Sequence, residues 1–112
     1  MKHLEQVRKL QSIANMKSDR ALTVLAQANA EVRALEARRQ ETLSNLGQQR
    51  RDAHSTTEIK ALEAFELWSQ AAVRNLDMQI ASHQTKVSTL REQARLDFGK
   101  AQVLKRLATK KG

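Results

Sequence analysis

A chain of 112 residues with 20 Lys and Arg, 12 Asp and Glu, and no Cys holds at most one small domain and excludes disulfide frameworks and thiolate metal sites. The 40% hydrophobic content is rich in alanine and only 3% of residues are aromatic, so a thick multilayer core is out of reach. With no Pro, and Gly at 47, 99 and 112 alone, nothing interrupts long helices, and no apolar run is long enough for a transmembrane or signal segment.

The first predicted helix begins near His3 and runs to about Leu46. Stepping by alternate threes and fours gives Leu4, Val7, Gln11, Ala14, Ser18, Ala21, Leu25, Ala28, Val32, Leu35, Arg39, Thr42 and Leu46. A mean spacing of 3.5 sustained so far marks one edge of a helix pressed against another helix. Leu10, Ile13, Leu22, Val24 and Leu43 sit beside this line and widen it.

The pattern lapses from Gly47 to Ser55, the predicted turn. Gly47 is placed to cap the first helix, with Arg50 and Arg51 suited to a C-terminus. Ser55-Thr56-Thr57-Glu58 has the form of a capping box that opens a second helix over about 56–109. An alternative reading runs one helix straight through 47–55.

The second helix carries the longer unbroken line: Ser69, Val73, Leu76, Ile80, His83, Val87, Leu90, Ala94, Asp97, Ala101, Leu104 and Ala108. The economical partner for it is the first helix of the same chain. The expected fold is therefore all-α, a long two-helix antiparallel coiled-coil hairpin forming a single domain, with the second helix longer and its basic end overhanging the N-terminus of the first. A turn centred near Asp52 sets Leu35 by Ser69, Leu25 by Ile80, Ala14 by Leu90 and Leu4 by Lys100, and sets Asp97 to pair with Arg8. Each helix of such a hairpin buries one stripe, so a homodimer or another partner is expected to support it. Leu67, Ala71, Met78, Ala81, Leu96, Val103 and Leu107, opposite the main line, point the same way.

Net charge is +8. Residues 1–54 and 55–112 each hold 10 basic and 6 acidic residues, yet no acid follows Asp97, while Lys100, Lys105, Arg106, Lys110 and Lys111 do. A basic stretch attracts nucleic acid, an anionic membrane or an acidic protein.

Candidate chemistry is sparse. His3, His54 and His83 lack metal-ligand spacing, and no Ser or Thr has a base and acid beside it. No phosphate-binding glycine loop is present. The chain is expected not to be an enzyme and to use no cofactor, metal or small-molecule substrate. His83 and Asp97, the polar members of the second line, are expected to control register. Trp68 is expected to cap the hairpin core near Leu35 and Arg39, the other reading being a partner anchor. Gly99 either admits a close backbone or is merely tolerated.

Leu4-x-x-Val7-x-x-Leu10, the alanine-rich first helix, the Arg50-Arg51 reversal and the closing segment Arg95-Leu96-Asp97-Phe98-Gly99-Lys100-Ala101-Gln102-Val103-Leu104-Lys105-Arg106-Leu107 together resemble the FliJ family. FliJ and its injectisome relatives, the YscO group, are central-stalk proteins of type III export ATPases, with an antiparallel coiled coil similar to the gamma subunit of rotary ATP synthases. The resemblance implies a cytoplasmic, non-enzymatic coupling protein peripheral to the inner-membrane export apparatus. Its implied partners are the export ATPase hexamer, the export gate membrane protein and export chaperones. The residues implied for the ATPase contact are Phe98, Lys100, Val103, Leu104, Lys105, Arg106 and Leu107. Two rivals stand beside this reading: a basic nucleic-acid-binding coiled coil, against which the lack of aromatic platforms and of a forked basic region argues, and a homodimeric scaffold or chaperone.

Overall fold

A computed structural model describes residues 2–110, with side chains from His3 to Thr109. Lys111 and the side chain of Lys110, both counted above in the basic stretch, lie outside that range. The chain is all-α: α1 spans Lys2–Asp52, α2 spans Thr56–Lys110, and a link of residues 53–55 reverses the direction between them. Contacts divide into two units, residues 1–29 with 85–112, and residues 30–84. Each unit is an antiparallel pair made of one stretch of α1 and one of α2.

The 3–4 line is the buried edge in both units. Every position on it, from Leu4 to Leu46 and from Ser69 to Ala108, is buried or half-buried. The best-buried members include Ala28, Val32, Leu35, Leu46, Leu76, Val87, Ala94 and Ala101. Burying each Leu or Val there contributes about 1.5–3 kcal/mol, while the alanines and Ser18 let the helix backbones approach. The residues that widen the first line, Leu10, Ile13, Leu22, Val24 and Leu43, stay exposed.

Gly47 does not cap α1. The helix runs five residues further, and neither Gly47 nor Gly99 has a positive φ. One glycine costs about 1 kcal/mol in a helix, and the good helix formers Gln48, Gln49, Arg50 and Arg51 offset it. The end of α1 is set instead by the start of α2. Ser55 Oγ accepts from the Glu58 amide at 3.1 Å, and the His54 amide donates to Glu58 Oε2 at 2.9 Å. That backbone hydrogen bond from His54, helped by Ser55, holds the Glu58 carboxyl below the usual carboxylate range.

The register differs from the one expected. Within residues 30–84, Arg39 Nε lies 2.6 Å from Asp77 Oδ1, Arg50 Nε lies 2.8 Å from Glu66 Oε1, and His83 Nδ1 lies 3.4 Å from Glu31 Oε2. Leu35 therefore sits between the levels of Asp77 and His83, not beside Ser69. Ser69 shares its groove with Leu43 and Leu46. Within the other unit, Val24 shares a groove with Leu90, and Leu10 and Ala14 share one with Leu104. The slip is about three helical turns, roughly 16 Å. Its origin is the link: α1 ends later than expected, and 53–55 climb as well as cross.

With Arg50 level with Glu66, Thr56–Ala61 lie past the end of α1 and are exposed, whereas Leu104 is level with Leu10. The longer helix, 55 residues against 51, thus overhangs at the turn and not, as expected, at its basic end, where Lys100 and Leu104 lie beside Leu10 and Ala14.

Two outcomes follow from this packing. Spin labels at positions 39 and 77 will lie closer together than labels at 39 and 65, and double electron–electron resonance reads the difference; the expected register requires the reverse order. Ser69 is wholly buried and its Oγ has no partner. Ser69→Ala will stabilise the fold by about 1 kcal/mol, because a desolvated, unpaired hydroxyl is removed. Ser69→Leu will destabilise it by about 1–3 kcal/mol through overpacking, both changes being read from thermal melts by circular dichroism.

Candidate partner-binding face

Folding redistributes the charge. Residues 1–29 and 85–112 carry 13 of the 20 basic residues and 4 of the 12 acidic ones, a net +9. Residues 30–84 carry the remaining 7 basic and 8 acidic residues, a net −1. The evenness between the two halves of the sequence disappears because the antiparallel return gathers the basic stretches of both helices into one unit.

Within the basic unit, helical spacing sorts the side chains into two flanks of the seam. One step before each seam position, α1 presents Leu10, Ile13, Lys17, Arg20 and Val24, again at alternate threes and fours. The equivalent line on α2 is Gln93, Leu96, Lys100, Val103 and Leu107. The two lines border the same side: Lys17, Arg20 and Val24 share a groove with Gln93, and Leu10, Ile13 and Lys17 share the adjoining one with Lys100. Lys17 and Asp97 line both. Leu10, Ile13, Leu96, Val103 and Leu107 are each about half exposed, so this flank is an uncovered apolar strip studded with cations.

The opposite flank is polar. One step after the seam, α1 offers Ser12, Asn15, Asp19, Leu22 and Ala26, and α2 offers Arg95, Phe98, Gln102, Lys105 and Thr109. The residues singled out from the sequence therefore do not share one surface. Lys100, Val103 and Leu107 belong to the apolar flank, Phe98 and Lys105 to the polar one, and Leu104 is half-buried in the seam between them. Arg106 is exposed further round the helix. Sequence reasoning missed Leu10, Ile13, Lys17, Arg20 and Val24 as part of this region, although their spacing signalled a second line, because the slipped register hid what they face.

Asp97 does not pair with Arg8. Its Oδ1 accepts from Gln93 Nε2 at 3.1 Å, and it lies in the groove with Lys17. His83 lies beside Glu31, one position before Val32 of the first line. Nearby on the outer surface, Arg95 donates to both oxygens of Glu92, which holds the Glu92 carboxyl low and the Arg95 guanidinium high.

Trp68, in the other unit, does not cap a core. It is 62% exposed, with its ring centroid 5.7 Å from that of Phe65. One position before Ser69, it is turned about 100° from the seam. Among the described residues, no three of His, Asp and Glu come together as a metal site, and no helix is long and apolar enough to cross a membrane.

Gly99 points away from the seam, and a Cβ built on it meets nothing within 4 Å. Gly99→Ala will raise the melting midpoint, stabilising the helix by about 0.5–1 kcal/mol; a loss of stability would mean that the glycine answers a backbone demand.

No family model, curated protein or solved structure matches the chain.

Proposed function

We propose that this chain is a non-enzymatic coupling protein, the stalk of a type III export apparatus, which binds the export ATPase and links it to the export gate and chaperones. The observation that carries the reading is the pairing of an antiparallel coiled coil with charge gathered in one unit, +9 in residues 1–29 and 85–112. A stalk needs a stiff helical pair with one chemically distinct region that an acidic, partly apolar ring can grip. It performs no chemistry; it favours those ring conformations to which it binds best. Phe98, Lys100, Val103, Leu104, Lys105, Arg106 and Leu107 are the proposed contact; all but Leu104, which is half-buried in the seam, stand exposed on α2.

The test is the ATPase rate of an export ATPase from the same genome, with and without this protein. Stimulation is expected, and reversing Lys100, Lys105 and Arg106 to Glu together will cut the apparent affinity by about tenfold or more at low salt. An ATPase indifferent to the protein, or equally responsive to the triple variant, refutes the reading.

The same +9 unit favours nucleic acid as a second reading. Duplex DNA binding that falls steeply between about 50 and 200 mM salt would support it, and would displace the stalk reading if the ATPase did not respond.

A further inference from the structure

We infer that the groove along the apolar flank of the basic unit is a docking site for one acidic amphipathic helix of a partner protein, which turns residues 1–29 and 85–112 into a three-helix bundle. The inference stands independently of the stalk reading. Its first support is spacing. A lone surface hydrophobe needs no explanation, but here both helices repeat the 3–4 alternation one position before the seam. The two lines border one groove, the arrangement that lets a third helix insert knobs between two others.

Length agrees. From Leu10 to Val24 the groove extends over about 21 Å, room for roughly four turns of helix. The groove is bordered by apolar residues, with Leu10 52%, Ile13 50% and Val24 36% exposed.

Charge selects the occupant. Lys17, Arg20 and Lys100 stand among the apolar residues, and the one acid in the groove, Asp97, is engaged by Gln93. A partner helix with Leu, Ile or Val on one stripe and Glu or Asp on its borders matches both features. A second copy of this unit does not, since two bodies of net +9 repel. Nucleic acid would use the cations but leave the aliphatic lines uncovered, and the flank holds no aromatic platform for bases. A flat anionic membrane would meet the two ridges and leave the groove between them unfilled.

The experiment uses the full chain and a fluorescent synthetic helix with Leu at heptad core positions and Glu beside them. A scrambled peptide of the same composition, a duplex DNA and vesicles containing phosphatidylglycerol are its comparators. Anisotropy is expected to show the patterned peptide binding at least about tenfold tighter than the scrambled one. Ile13→Glu and Val24→Glu will each weaken it about tenfold, and Leu22→Glu and Asn15→Glu, on the other flank, will leave it within about twofold. If Ile13→Glu or Val24→Glu loses helicity by circular dichroism, the Lys17→Glu/Lys100→Glu double variant is read in its place, with the same expected loss. Equal binding of the two peptides, no binding, equal sensitivity of the two flanks, or tighter binding to DNA or vesicles overturns the inference.

Discussion

The constraint on which everything else depends is the requirement for small side chains along two facing helix edges. A pair of helices has no interior beyond the strip where they touch, so closeness there substitutes for the depth of a globular core. Ala28, Ala94, Ala101, Ser18 and Ser69 are among the most buried residues of the chain, ahead of several leucines on the same line. Small size at these positions lets the larger neighbours, Val32, Leu35, Leu46, Leu76 and Val87, reach across and exclude water. The wholly buried hydroxyl of Ser69 shows the cost of the arrangement: size was satisfied there and hydrogen bonding was not.

The electrostatic character of the molecule is a consequence of topology. In a single continuous helix the net charges of residues 1–29, 30–84 and 85–112, which are +3, −1 and +6, would follow one another along its length. A reversal at 53–55 brings Arg8, Lys9, Lys17 and Arg20 into one unit with Lys86, Arg91, Lys100, Lys105 and Arg106. The acids collect in the other unit, where Glu31, Glu66 and Asp77 meet His83, Arg50 and Arg39 across the pair. Exposed pairs of this kind contribute little stability, about 0.2–1 kcal/mol each. They are more informative about register, since a slip of one turn would separate all of them.

How much of this could be read from the residues depends on the physical scale of each question. Fold class and the buried edge were legible, because periodicity is a local property and both lines are long. Every position assigned to them is covered. The start of α2 was legible from Ser55 and Glu58, whose side chains satisfy orphan backbone amides in a recognisable pattern. Register was not, because a few residues at 47–55 decide how far one helix slides past the other, and a 3–4 repeat looks alike after every slip of seven. Gly47 misled since a glycine in a run of strong helix formers is tolerated unless a left-handed residue is needed. Trp68 misled since one step off the seam is enough to take a large ring out of the contact. The candidate contact from Phe98 to Leu107 is one stretch of sequence, and helical geometry distributes it between two flanks and the seam.

The two flanks of the basic unit differ in what they leave exposed. If the only demand were pairing of α1 with α2, selection would have no reason to place Leu10, Ile13, Val24, Leu96, Val103 and Leu107 beside the seam, where pairing leaves them uncovered. Polar residues would serve as well, and they do serve on the opposite flank at Ser12, Asn15, Gln102 and Thr109. The asymmetry between flanks is thus not explained by hairpin stability. Nor is it explained by general stickiness, which like charge on the same surface opposes. Aliphatic residues at coiled-coil spacing, interleaved with cations, suit the proposed helix of opposite charge better than a second copy of the same basic unit.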